Sequence, residues 1–328
     1  KAPFPYFGGK RKVAPVIWQR FGAVAQYIEP FLGSAAVLLA APQPAALEVV
    51  GDANGFVANF WRAVVAQSAA VARWADYPVS HVDLGARHGW LMAQRDRLAV
   101  ELHDPNWPGD AQVAGWWLWG QCAWIGSGWC EWDKAGQIPH VSDAGRGVQA
   151  VGQIPHVSNA GRGVQAVGGI PHVSGAGMGV QARGGLAPSG ETWTSCGATA
   201  MAWLRKLAAR MERVRVIHGD WTRCMNTTLG TRPGSAVGVF LDPPYEGFGD
   251  LYGAGEKTVA HEVAGWAREH GDLRVCIAGH GGDYDLPGWD VVEWSRSSNT
   301  YGSAKTKDDE CLWFSPGCVR PGGQGVLL

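Results

Sequence analysis

Asp242-Pro243-Pro244-Tyr245 follows directly on the apolar run Val237-Gly238-Val239-Phe240-Leu241. An acid at the end of a buried strand, followed by two prolines, is an unusual way to leave a sheet. Each proline lacks an N–H and fixes φ near −65°, so the turn is stiff and does not relax into a helix. The turn offers the Asp242 carboxylate, the carbonyl oxygens of Asp242 and Pro243, and the aromatic face of Tyr245. Two acceptors beside a stacking plane suit a planar group that carries an amine, such as the exocyclic NH2 of adenine. The competing reading is a proline-stiffened surface turn whose acid caps a neighbouring segment.

Other acids stand at strand ends. Glu29-Pro30-Phe31-Leu32-Gly33-Ser34-Ala35 reads as a strand-to-helix loop in which Gly33 permits close approach of the backbone to a ligand. It lacks G-x-G-x-x-G spacing, so it is no dinucleotide fingerprint. Asp52 ends the next strand about twenty residues on, where a carboxylate accepts the ribose hydroxyls of an adenosine-type cofactor. Asp220 ends another strand and is placed to accept an adenine amine. For Asp52 the alternative is a helix N-cap, and for Asp220 a cap or a surface acid. Gly8-Gly9-Lys10 has neither the upstream glycine nor the following Ser/Thr of a phosphate-binding loop.

The elements that position these groups alternate. A helical pattern covers about 13–20, Tyr27–Phe31 and Leu47–Gly51 read as strands, a small-residue helix is expected over Ala35–Ala41, and Gly55–Trp74 is amphipathic. Strand, glycine loop, helix, strand, acid, helix is a βαβ unit. A single helix is expected over Leu84–Leu102. Helical periodicity returns over Thr192–Glu212. It is followed by strands at Arg215–His218 and Val237–Leu241, a helix at Glu256–His270, a strand at Leu273–Ala278, and a final strand pair at Trp289–Trp294 and Glu310–Phe314. The pattern implies an α/β fold with helices on both faces of the sheet. Residues 1–75 and 192–328 form one discontinuous domain, and a module spanning 76–191 is inserted into it.

The insertion has its own grammar. Trp116, Trp117, Trp119, Trp124, Trp129 and Trp132 crowd one segment and read as module core more than as a stacking platform. Three units follow over 136–183, starting at Gly136, Gly152 and Gly168 with a period of 16 (152 − 136 and 168 − 152). Their histidines, His140, His156 and His172, have no cysteine or acid at ligand spacing, so no metal is expected. Arg146 and Arg162 sit in Gly-Arg-Gly turns, from which an exposed guanidinium reaches a DNA groove; a solvated loop arginine is the alternative.

With 28 basic and 29 acidic residues, the chain has no global pull toward nucleic acid or membrane, though a local basic face suffices for DNA. The seven scattered cysteines form no C-x-x-C pair and read as reduced thiols. No run of 18 apolar residues and no charged-then-apolar leader is present, so no membrane contact and a cytoplasmic location are expected. The chain begins at Lys1 without Met, so its initiating residue is expected to be missing. No obligate partner is evident, and a monomer is expected.

Phe7-Gly8-Gly9-Lys10, Glu29-Pro30-Phe31-Leu32-Gly33-Ser34, Gly51-Asp52-Ala53-Asn54 and Asp242-Pro243-Pro244-Tyr245 occur in that order. This set resembles the Dam-type DNA adenine methyltransferases, and the closing Glu310-Cys311-Leu312-Trp313-Phe314-Ser315-Pro316 resembles the end of such proteins, especially phage- or prophage-borne ones. The resemblance covers about 3–74 and 192–316. It implies a Rossmann-like methyltransferase sheet, S-adenosylmethionine as cofactor, double-stranded DNA as partner, and methylation of the adenine amine in a flipped base. It further implies that the insertion is the target-recognition module. Tyr6 and Lys10 would contact the cofactor, Gly33 and Ser34 would border its methionine part, Asp52 would hold its ribose, and Asp220 would sit near its adenine. Asp242, Pro243, Pro244 and Tyr245 would receive the target base. The family often has glycine where this chain has Ala35, whose methyl is expected to narrow the cofactor pocket. Other classes remain open here. One is a methyltransferase of this fold acting on RNA or on a protein amide, disfavoured because amide-methylating relatives have Asn in the place of Asp242. The other is a non-catalytic DNA-binding relative.

Overall fold

The computed structural model describes residues 2–6, 9–124, 129–130, 194–225, 236–244, 256–294 and 310–320. Tyr245, Arg146, Arg162 and the three repeats therefore lie outside the described residues.

Contacts divide the chain into two units, the first comprising Lys1–Gly9 and Ala53–His218, the second Lys10–Asp52 and Gly219–Leu328. The second unit holds β1 (Gln26–Glu29), β2 (Leu47–Asp52), β4 (Val237–Leu241), β5 (Arg274–His280), β6 (Asp290–Trp294) and β7 (Glu310–Phe314), which form a mixed sheet, while β3 (Val214–His218) belongs to the first unit. Within the second unit the order is β2-β1-β4-β5-β7-β6. β1 is parallel to β2 (Ile28 opposite Val49) and to β4 (Ile28 opposite Val239), and β4 is parallel to β5. β7 runs antiparallel to both β5 and β6. β1, β4 and β7 are buried along their whole length, as expected of strands covered on both faces. The chain leaves β1 toward β2 on one side, while β4 lies on the other. The gap beyond the carboxyl ends of β1 and β4 is thus a topological switch point, the place where open α/β sheets bind ligands.

Helix α1 (Ala14–Phe21) starts with Pro15 in its first turn and ends at Gly22, where φ is +59°. Its Arg20 pairs with Asp290 at 2.6 Å and lies over the Phe314 ring, which anchors the helix against β6 and β7.

The small-residue helix expected over Ala35–Ala41 does not form. Only a 3-10 turn, Leu38–Ala40, is present, because the backbone takes positive φ at Gly33 (+45°) and Ala35 (+56°) and cannot propagate a right-handed helix through them.

The first unit is built on α2 (Gly55–Ala75), capped by Asn54, whose side chain accepts from Phe56 N. α2 packs against α5 (Ala111–Ala123) and α6 (Thr194–Met211). At Gly115 of α5 an added Cβ would collide with Trp74, so glycine is what lets these helices approach. Asn59, buried in α2, donates to Asp110 O and accepts from Asp110 N, while the Asp110 carboxylate caps α5. Of the described tryptophans of the tryptophan-rich segment, Trp117, Trp119, Trp124 and Trp129 are buried and Trp116 is half-buried. The single helix expected over Leu84–Leu102 is two, α3 (His81–Met92) and α4 (Arg95–Glu101), separated by a turn at Ala93–Gln94. Helix α7 (Thr222–Met225) and α8 (Glu256–Glu269) complete the second unit.

Candidate active site

Four acids and one lysine of the second unit converge on the carboxyl rim of its sheet. Lys10 precedes α1, and its carbonyl accepts from Val13 N and Ala14 N, so the start of the helix fixes its backbone. Its side chain is 3% exposed, and Nζ lies 2.9 Å from Asp242 Oδ1 and 3.9 Å from Glu310 Oε2. An ammonium out of water is tolerable only when paired, and here it faces two carboxylates. Asp242 follows β4 directly and is 18% exposed, so its pair with Lys10 still meets the outside. Pro243 is buried and Pro244 half-buried, which holds the turn against the sheet.

Glu29 ends β1 and is buried. Its Oε2 accepts from Tyr27 OH at 2.9 Å and from Leu38 N at 3.1 Å. Burial pushes its carboxyl up to about 8, opposed by those two hydrogen bonds and reinforced by the negative charges of Asp242 and Asp52. The neutral form of Glu29 is thereby favoured at neutral pH.

Asp52 ends β2 half-buried. It is not the cap of α2, which is Asn54. Instead its Oδ2 accepts from Gly33 N at 2.8 Å, and its carbonyl accepts from Gly219 N at 3.1 Å. One residue thus joins the loop after β1 to the Gly219-Asp220 turn. The loop after β1 is held further by Leu32 N donating to Gly51 O and Ala35 N donating to Leu32 O, both at 2.8 Å. Ser34 is buried within it. Ala35 adopts φ of +56°, a conformation for which glycine is the ordinary residue, so its methyl carries a backbone cost in addition to occupying space. Phe31 stacks near Trp221 (centroids 6.5 Å, 24° between planes) and places an aromatic face beside the same turn.

Asp220 is exposed, and its Oδ1 accepts from Thr222 N at 2.9 Å and from Thr222 Oγ1, which caps α7. The local cap anticipated for it is therefore present. Tyr6 belongs to the first unit, where it is half-buried and edge-on to Phe4, with its carbonyl accepting from Gly9 N. Glu29 and Glu310 were passed over as site residues by sequence reasoning. The available signal was their position, Glu29 as the last residue of β1 and Glu310 as the first of the apolar β7. Among the described residues no group of three or more His, Cys, Asp or Glu side chains is arranged to hold a metal ion. Nor does any described helix have the length and apolarity to cross a membrane.

A lysine-clamped acid on a proline-stiffened turn thus stands on the same rim as a glycine loop and a second strand-end acid, at a switch point of the sheet. Residues 6–79 match the family model of the D12 class N6 adenine-specific DNA methyltransferases, and that match supports an adenine-specific DNA methyltransferase. The matched span takes in Tyr6, Lys10, Gly33, Ser34 and Asp52, whereas Asp242 lies beyond it. No curated protein matches the chain.

Proposed function

We propose that the chain transfers a methyl group from S-adenosylmethionine to the N6 amine of an adenine flipped out of a specific duplex DNA site. The observation that carries this reading is Asp242: a carboxylate at the carboxyl end of β4, clamped by a buried lysine and followed by two prolines. The residues present fit the cofactor. The Gly33 turn brings backbone close to the rim, Asp52 supplies a carboxylate suited to ribose hydroxyls, and Phe31 offers an aromatic face. Gly33 and Ser34 border the methionine part, Asp220 lies near the adenine of the cofactor, and Tyr6 and Lys10 reach it from the N-terminal loop. When bound, the cofactor supplies an electrophilic methyl on a sulfonium, so that the S–CH3 bond breaks as the N6–CH3 bond forms and positive charge passes to N6.

The adenine amine is a poor nucleophile because its lone pair is delocalised into the ring. Asp242 accepts one N6–H and the Pro243 carbonyl the other, which turns the lone pair toward the methyl. The surplus proton of N6 leaves toward the Asp242 carboxylate and on to water. Catalysis of this kind is mainly positioning and fixed electrostatics. Tyr245 stacks on the flipped base and offsets part of the few kcal/mol that flipping costs. Glu29, neutral at pH 7, removes one negative charge from the rim while keeping the end of β1 buried.

In the same reading, residues 76–191 form the target-recognition module of a catalytic domain made of 1–75 and 192–328, Arg146 and Arg162 contact DNA, and the enzyme acts as a cytoplasmic monomer. Sequencing of DNA from a host expressing the chain tests the proposal. N6-methyladenine confined to one recurring sequence is expected, absent with Asp242→Ala. Unmodified adenine, or methylation on RNA alone, would count against it.

A further inference from the structure

We propose that Glu310 is a positioning residue for methyl transfer, acting on the target amine through Lys10 and Asp242. This rests on the adenine-methylation reading above and extends it to a residue from the far end of the chain.

Strand direction places Glu310 on the rim. It is the first residue of β7, which runs antiparallel to β5, and it stands opposite His280 at the carboxyl end of β5. A parallel strand in that place would put its first residue at the other edge of the sheet. Glu310 also stands opposite Trp294 of β6, so its backbone is held from both sides. Its side chain is 3% exposed, and Oε2 is directed to within 3.9 Å of the Lys10 Nζ.

The arrangement is a buried cation between two anions, one at 2.9 Å and one at 3.9 Å. A lysine on a four-carbon stem paired with a single carboxylate is free to rotate about it. A second carboxylate on the other side restricts the ammonium to the line between them. Lys10 then contacts Oδ1 of Asp242 from a fixed direction, which sets the plane in which that carboxylate meets the amine. Glu310 touches neither substrate nor cofactor in this scheme. Because the contact it fixes is the one between Lys10 and Asp242, its contribution lies in turnover more than in the affinity for S-adenosylmethionine.

The test is a double-mutant cycle between Lys10 and Glu310, read as kcat for transfer of labelled methyl into duplex DNA, with the cofactor Kd measured in parallel. Glu310→Gln keeps shape and removes charge. It is expected to lower kcat about 10- to 100-fold, the scale on which misplacement of a reacting group acts, with the cofactor Kd changed less than about twofold. K10M/E310Q is expected to fall no further than Lys10→Met alone, because without the ammonium Glu310 has nothing to position. Losses that multiply in the double variant would assign Glu310 an independent structural role and overturn the proposal, as would full kcat in Glu310→Gln. Glu310→Leu, which leaves no amide in the buried strand, supplies a second arm of the cycle should the glutamine variant not fold. Wild-type enzyme that binds cofactor but transfers no methyl to DNA would refute the underlying reading instead, so the two failures are distinguishable.

Discussion

Glu29 offers a prediction whose size follows from its surroundings. In the unfolded chain its carboxyl titrates near 4.5, whereas burial at the end of β1 pushes it up to about 8 in the native protein. Between those values the native state keeps a proton that the unfolded state has released. Stability therefore falls as pH rises through that window, and the loss is complete above about pH 8. At about 1.4 kcal/mol for each pH unit, the whole span corresponds to roughly 3–5 kcal/mol. Glu29→Gln removes the titration while its amide oxygen can still accept from Tyr27 OH and Leu38 N, the two donors that Oε2 serves now. Urea unfolding at pH 5, 7 and 9 measures the effect. Wild type and variant are expected to differ little at pH 5, and the variant should gain several kcal/mol over wild type by pH 9. Parallel pH profiles, or a wild type that gains on the variant above pH 7, would show that Glu29 is ionised in the fold and that the charge assigned to the rim is wrong.

Asp52→Ala should weaken S-adenosylmethionine binding by about 1–3 kcal/mol, the loss expected for a charged acceptor, and calorimetry that finds the affinity unchanged would leave Asp52 only its contact with Gly33. Ala35→Gly should be within about 1 kcal/mol of wild type in urea unfolding, because relief of the left-handed backbone (about 1–2 kcal/mol) offsets the lost methyl and the added chain entropy. Ala63→Gly, equally buried but inside α2, should cost about 2 kcal/mol, so equal losses at the two positions would contradict the strain assigned to Ala35. Cys224, pushed up to about 12 by burial, and Cys276, raised well above its ordinary value for the same reason, should resist alkylation in the native protein at pH 8 and react once it is unfolded; rapid native labelling of either would contradict their burial.

The strands were legible where burial alone defines them. Val237–Leu241 and Glu310–Phe314 coincide with the elements observed, since continuous apolar runs between turn residues leave one reading. Gly55–Trp74 is a helix for a different reason, a long amphipathic period behind an Asn cap. Ala35–Ala41 misled because small residues favour a helix locally, while the loop before them must turn through positive φ at Gly33 and Ala35 to let Gly33 N meet Asp52. The break between Met92 and Arg95 carries neither glycine nor proline and left no signal in composition. At the site, Asp242 and Asp52 were readable because an acid ending a strand is a local pattern. The clamp on Asp242 was not, since Lys10 and Glu310 come from opposite ends of the chain and meet only once β7 has entered the sheet antiparallel to β5.

Transfer of tritiated methyl from S-adenosylmethionine by the purified chain, with the DNA digested to nucleosides afterwards, tests the central claim most directly. The label is expected in N6-methyladenine from duplex DNA with wild-type enzyme, and none with Asp242→Ala, which should still bind the cofactor with wild-type affinity. Near-wild-type turnover by Asp242→Ala, or label recovered from any other base or from protein, would contradict the role given to the turn after β4.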